Sequence, residues 1–266
     1  GAALARTTHL GIGAHQDDLE IMAYHGIVNC FNKSDAWFTG VTCTNGGGSS
    51  RTGDYAAYTD DEMQATRREE QRIAARMGQY SAMLQLDYPS GIVKDADASE
   101  FVDELARIFD STRPQMVYTH NPADKHFTHI GIVVPVIQAL RKLPLDARPE
   151  QVVGCEVWRS LDWMNDDQKV ALNVSDRPHL AEALVGIFDS QIAGGKRYDL
   201  ATAGRWRANA TYFDSHSSDG ASRLHYAMDL SELIRDDSLD IVDYVVSYID
   251  AFADSVRNNL SKRLGR

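Results

Sequence analysis

Short apolar runs alternate with helix-forming segments through most of the chain, and this alternation limits the possible folds more than any other feature. Thr8–Ala14 (THLGIGA), Ala36–Thr44 (AWFTGVTCT), Ala82–Tyr88, Gln115–Thr119 and Val152–Trp158 each read as a buried strand. Leu19–Phe31, Asp60–Met77, Ala98–Phe109, Thr128–Leu143 and Arg177–Ser190 read as the helices that follow them. Strands that alternate with helices imply a parallel sheet covered on both faces. In such sheets a site forms outside the carboxyl ends of the strands.

Several local expectations follow. Gly78 is a natural terminator for the Asp60–Met77 helix, and the three successive glycines in Asn45–Tyr55 (NGGGSSRTGDY) predict a flexible loop. Pro135 lies inside the fourth helix, where its ring would clash with the carbonyl four residues back, so a kink or break is expected near Gly131. After about Ala193 the pattern weakens, and Gly194–Ser222 is polar and glycine-dotted, with Trp206, Tyr212 and Phe213 as aromatic punctuation. Helical periodicity resumes over Leu239–Leu260 through Ile241, Val242, Val245, Ile249, Phe252, Val256 and Leu260, a stripe that reads as core or as a contact between copies in a homo-oligomer. The 266 residues suit one elaborated domain: a core over 1–192, and an extension over 193–266 that packs on the same domain and partly lines the site.

The chain is acidic, with Lys+Arg 27 against Asp+Glu 38 and a net charge of -11. That balance argues against nucleic acid or an anionic membrane as partner, because neutralising phosphate needs clustered cations. Cys30, Cys43 and Cys155 are scattered and form no CxxC pair, so they read as core thiols rather than a zinc ribbon or disulfide framework. No stretch approaches transmembrane length, and Gly-Ala-Ala-Leu-Ala-Arg has no long apolar region. A cytoplasmic location is the simplest expectation, with a signal peptide removed before Gly1 as the alternative.

Two histidine–carboxylate clusters carry the chemistry: Ala14-His15-Gln16-Asp17-Asp18-Leu19-Glu20 after the first strand, and Asp124-Lys125-His126-Phe127-Thr128-His129 after the fourth. His15 and Asp18 lie three apart in a turn leaving a strand, so both can bend toward one ion. Asp17 projects between them and can accept a proton from water beside that ion. Zn²⁺ lowers the pKa of a coordinated water from about 16 to near 7, which makes hydroxide available at neutral pH. His126 and His129 share one face of a helix start. His129 completes a His-Asp-His set with one coordination position open, and His126 can polarise a carbonyl or protonate a leaving amine. Asp124 is placed to orient one of the rings. The plainer alternative is that Asp17 and Asp18 cap the following helix and that the histidines lie on the surface.

These residues resemble the PIG-L/LmbE-like metal-dependent de-N-acetylases over roughly the first two-thirds of the chain. The family's AHPDDE motif appears as AHQDDLE, and its HPDH or HxNH ending as His126-Phe127-Thr128-His129. An RxxE helix pattern is matched by Arg67-Arg68-Glu69-Glu70. The resemblance implies a Rossmann-like three-layer fold with a mainly parallel sheet and a C-terminal extension ending in a long helix. It implies one Zn²⁺ held by His15, Asp18 and His129, Asp17 as general base and His126 as acid or oxyanion stabiliser. Arg67 would contribute to the substrate pocket, with a helix-surface ion pair to Glu70 as its alternative. A family Pro-Asp-Gly appears as Pro89-Ser90-Gly91, and Phe188 stands where relatives often carry a histidine. His216, in Asp214-Ser215-His216-Ser217, is a candidate to fill that gap at the substrate.

The expected function is metal-dependent removal of the acetyl group from an N-acetylated sugar or glycoconjugate, a small-molecule partner. A non-catalytic, metal-dependent carbohydrate binder is the alternative. Two nitrogens and one carboxylate also suit Fe²⁺, Co²⁺ or Ni²⁺. A dinucleotide binder is disfavoured: Gly11-Ile12-Gly13 begins like GxGxxG, but Gln16 stands at the sixth position and Asp17 and Asp18 would repel a pyrophosphate.

Overall fold

A computed structural model describes residues 1–266. A one-turn helix, α1 (Ala2–Ala5), precedes strand β1 (His9–Gly13). The expected Leu19–Phe31 helix is two helices, α2 (Asp18–Met22) and α3 (Tyr24–Cys30), separated at Ala23. β2 (Phe38–Thr44) leads through the glycine loop to α4 (Asp60–Met77). Thr59 and Glu62 form a reciprocal capping box at the start of α4, which fixes its first turn. β3 (Ala82–Tyr88), α5 (Ser90–Val93), α6 (Ser99–Thr112) and β4 (Met116–His120) follow.

α7 (Phe127–Arg141) runs unbroken through Pro135, so of the kink or break expected near Gly131 the break does not occur. Pro135 is buried beside Val133, Val136 and Ile137 in the core, and that packing offsets the backbone bond the ring removes. Gly131 matters for another reason: a Cβ there would lie 2.4 Å from the Val93 carbonyl oxygen, so only glycine lets α7 meet the end of α5.

β5 (Gln151–Cys155) is followed by β6 (Lys169–Asn173), α8 (Pro178–Gly186), α9 (Asp189–Ile192), α10 (Tyr198–Tyr212), β7 (Leu224–Asp229), α11 (Ser231–Arg235) and α12 (Ile241–Leu264). β6, α10 and β7 are additions to the sequence expectation. The buried face of α10 carries Thr202, Trp206, Asn209 and Ala210, a half-polar set that hides a helical period. Its polar members are satisfied inside: Asn209 Nδ2 donates to Glu156 Oε1 at 2.5 Å and to the Leu224 carbonyl at 3.2 Å.

The seven strands form one sheet in the order β3-β2-β1-β4-β5-β7-β6. The first five are parallel, whereas β7 pairs antiparallel with both β5 and β6. Neighbouring strand residues alternate between two cores. Val117 and Val152 join α6 and α7 on one face, while Tyr118 and Val153 join α2, α3 and α8 on the other. The architecture is thus a three-layer, mainly parallel α/β fold of the LmbE-like type. The chain leaves β1 for β2 and β3 on one side, then crosses to β4 on the other. The crevice between β1 and β4 is the topological switch point, where α/β sheets bind their ligands.

Candidate functional site

Both histidine–carboxylate clusters converge on that crevice. His15 leaves β1, Asp17 stands at the N-cap position of α2 without a side-chain capping bond, and Asp18 is the first residue of α2. The Asp18 carboxylate is the hub: Oδ2 accepts the His15 N–H at 2.7 Å and lies 3.3 Å from His15 Nδ1. Oδ2 is also 3.2 Å from His120 Nε2, and Oδ1 is 3.5 Å from His129 Nε2. Gly13 permits this approach, since a Cβ there would sit 2.9 Å from the Asp18 Cβ. Asp17 holds φ 112°, a backbone conformation L side chains rarely adopt.

From the other side, Asp124 Oδ2 is 3.1 Å from His129 Nδ1 and accepts the Trp158 N–H at 3.2 Å. Asp124 Oδ1 takes the His126 N–H at 3.2 Å. Burial opposes the charge of Asp124, but the bond from His129 outweighs it and keeps its pKa below the usual value. An ionised carboxylate only accepts, so Nδ1 of His129 carries the proton and Nε2 presents a lone pair. That Nε2 is buried and has no hydrogen-bond partner. A bare nitrogen and a carboxylate oxygen therefore face each other at 3.5 Å, an arrangement that calls for a cation between them.

His120, at the last position of β4, belongs to this cluster although the sequence reading ended its strand at Thr119. Its ring stacks on His129 with centroids 3.7 Å apart, and its Nε2 accepts the Ala14 N–H at 2.9 Å. The His126 ring lies 4.6 Å from that of His129 and 5.1 Å from that of His15. Two overlapping three-ligand sets result, His15/His126/His129 and Asp18/His120/His129.

The charges are set by burial and by one another. Burial pushes His15 and His120 down to about 4, leaving both neutral at pH 7. Burial works against ionisation of Asp18, but the facing His129 and His120 rings outweigh it and hold its pKa well below the ordinary value. Asp17 moves the other way, raised well above the ordinary value by burial, with Arg67 opposing. The Arg67 guanidinium lies 3.4 Å from Asp17 Oδ2 and also donates to the Gln16 carbonyl and Ser49 Oγ. Arg67 thus ties the glycine loop to the turn after β1. Its alternative partner Glu70 instead accepts from Ser190, through N at 2.8 Å and Oγ at 2.6 Å.

A cleft of about 390 Å³ opens over the cluster. His15, Asp17, Asp18, Arg67 and His126 line it, together with the glycine-loop residues Gly46, Gly48 and Ser49. Ser90, of Pro89-Ser90-Gly91, is also in the wall, as are Lys94, Trp158, Lys196 and Tyr198, which carried no motif. The 193–266 segment therefore reaches the cleft through Lys196 and Tyr198. His216 does not line it, which corrects the expectation of a substrate contact. Tyr198 opens α10, and His216 follows the far end of that 15-residue helix, about 22 Å along its axis. There its N–H is held locally by Asp214 Oδ1 at 2.8 Å. Phe188 is buried in the core and leaves the cleft to its neighbour Gln191.

A buried histidine–carboxylate cluster at the switch point of a Rossmann-like sheet defines a class: α/β proteins of the LmbE-like fold whose site can grip a cation. Within it, residues 10–140 match the model of the PIG-L family, described as GlcNAc-PI de-N-acetylase. Among solved structures, the N,N'-diacetylchitobiose deacetylase of Pyrococcus horikoshii is similar, with TM-score 0.67 and 17% identity over 90% of this chain and 88% of that one. The 4-carboxy-2-hydroxymuconate hydratase of Pseudomonas putida is similar with TM-score 0.64 and 18% identity, covering 84% of this chain and 96% of that one. A teicoplanin deacetylase in its zinc-inhibited form gives TM-score 0.59 and 13% identity, covering 84% and 97%. At these identities the likeness is one of fold. No curated protein matches the sequence.

Proposed function

We propose that this protein is a metal-dependent hydrolase that removes the acetyl group from an N-acetylated sugar or sugar conjugate. The observation that carries the metal is the unpartnered His129 Nε2 facing Asp18 Oδ1 at 3.5 Å. His15, Asp18 and His129 would hold the ion, with Zn²⁺ the natural choice for two imidazoles and one carboxylate. His120 supports this set rather than joining it, because its Nε2 lone pair already takes the Ala14 N–H. A bound ion would supply Lewis acidity at the amide carbonyl and a lowered pKa for water.

The chain's own groups do the rest. Asp17, kept in the cleft by Arg67, accepts the proton of the attacking water, and its raised pKa suits a group that must take a proton and pass it on. His126 faces the cleft beside His15 and His129, where it can stabilise the oxyanion and deliver a proton to the leaving amine. Asp124 fixes the His129 ring so that Nε2 points inward. Fold alone does not choose between amide hydrolysis and hydration, since a hydratase shares it. The PIG-L match over residues 10–140 favours the amide.

The test measures acetate released from a panel of N-acetylated sugars by protein of assayed metal content, with and without chelator. Acetate that requires metal supports the reading. Stoichiometric metal with no acetate from any sugar would move the assignment to a carbohydrate binder or a hydratase. In Asp17→Asn, turnover should fall about 10²–10⁴-fold with metal content unchanged; loss of metal in that variant would reverse the roles given to Asp17 and Asp18.

A further inference from the structure

α12 leaves a full apolar stripe in water. Seven of the chain's fourteen exposed large apolar residues lie on this one helix: Val242, Val246, Ile249, Phe252, Val256, Leu260 and Leu264. One face of its first half does pack on the body, through Ile241, Tyr244, Val245 and Tyr248. A second stripe beside that face has no cover. Val242, Val246, Ile249, Ala253, Val256 and Leu260 recur at alternating steps of four and three, which is a heptad seam. Val242 is 67% exposed, Ile249 45% and Leu260 58%, values no surface helix of a monomer needs to carry together.

The charges along the same helix say what covers the stripe. Asp240, Asp243 and Asp250 lie at its start and along its first half, and Arg257, Lys262, Arg263 and Arg266 along its second half and end, where Asp254 pairs with Arg257 at 2.7 Å. The helix dipole accounts for charges in the first and last turns, and Asp254 and Arg257 pair with each other within the helix, but the separation of acid from base along its length remains. An antiparallel copy of the helix sets acidic half against basic half at both ends of the pair. We propose that the protein is a two-fold symmetric dimer in which α12 packs antiparallel on α12 of a second copy. In that register Val242 lies opposite the partner's Leu260, Val246 opposite the partner's Val256, and Ile249 opposite the partner's Ala253. The seam is self-complementary, as a two-fold contact requires. Five exposed large apolar side chains on each helix, ten in the pair, are covered at once, and the two helix dipoles oppose each other favourably.

Sedimentation of the full chain from micromolar to submillimolar concentration, with mass measured by light scattering, tests this. The expected species has twice the 29.5 kDa chain mass. Ile249→Asp combined with Val256→Asp places charges on exposed seam positions outside the face that packs on the core, so the variant should melt like the parent and sediment as a monomer. Orientation is read from Val242→Cys and Leu260→Cys, since the three native cysteines are buried. Mixing the two variants under oxidising conditions should give the mixed disulfide, while neither variant alone should crosslink. A parent that stays monomeric throughout, an aspartate variant that remains dimeric, or disulfides within each single variant would each overturn the antiparallel pair.

Discussion

Asp17 is held where its backbone resists it. A φ of 112° costs a non-glycine residue on the order of 1–3 kcal/mol, and Arg67 and Gln71 supply what keeps it there, from the 3.4 Å ion pair and the 3.4 Å bond to the Asp17 N–H. Such strain lies at the one carboxylate proposed to move a proton, next to the one proposed to hold the ion. Glu156 shows the opposite arrangement, a buried acid with a structural duty. It accepts from Asn209, the Leu161 N–H at 3.0 Å and the Tyr226 N–H at 3.3 Å, yet burial still raises its pKa above the ordinary 4.5, with Arg205 opposing. A raised folded-state pKa gives stability that is complete below about pH 4.5 and is lost as the pH rises through the folded value. Glu156→Gln should therefore be the less stable protein at pH 4, by about 1 kcal/mol for the bond to Leu161 that an amide NH₂ cannot accept. The gap should narrow or reverse by pH 8; urea unfolding midpoints of the two proteins across that range measure it, and a gap constant with pH refutes the account. Residues of this kind are hard to read from a sequence. His15, Asp17, Asp18, His126 and His129 were legible because they cluster locally, whereas His120 stands alone at a strand end and gains meaning only when β4 is laid beside β1.

At the scale of elements, the close contact of α7 with α5 carries the wall of the cleft, because Ser90 opens α5 and Lys94 follows it. Gly131→Ala would push a methyl into the Val93 carbonyl, backbone that cannot swing aside. The expected cost is about 2 kcal/mol, in the range for overpacked cores. KM for the active substrate should rise more than kcat falls, as the Ser90–Lys94 wall is displaced while the histidines stay. A variant as stable as the parent would show that α5 yields freely. Four of the parallel strands, β1, β2, β4 and β5, were legible because each is buried on both faces and reads as a short apolar run, and the half-buried edge strand β3 still shows its apolar residues. β6, β7 and α10 were not, for a shared reason: their surroundings satisfy polar side chains. α10 buries Asn209 against Glu156, and at β6 the side chain of Lys169 is almost fully buried while its ammonium reaches Asp166 at 2.7 Å. Hydrophobic periodicity is silent where hydrogen bonds and ion pairs fill the interface.

For the molecule as a whole, no helix is long and apolar enough to cross a membrane, and the surface carries an excess of acid. The sheet order determines how the proposed metal would affect stability. A ligand that binds only the folded state stabilises it by about 2.7 kcal/mol at a hundred times its dissociation constant. Chelation should then lower the melting temperature by roughly 5–10 °C for a domain of this size, and one equivalent of metal should restore it. Asp18→Ala should be indifferent to chelator; a parent whose melting is unmoved while its metal is stripped would argue against the site. Each three-ligand set draws on the turn after β1 and on the segment that follows or ends β4. Those segments are brought together only when the chain has completed β2 and β3 and crossed back over β1. The crevice therefore exists only once β1 and β4 have paired, and an ion has nothing to grip before then. Its influence falls on the speed with which the finished protein comes apart, not on the speed with which it forms. A metal-loaded chain would be long-lived for a kinetic reason: release of the ion, or rupture of the sheet at its switch point, must come first.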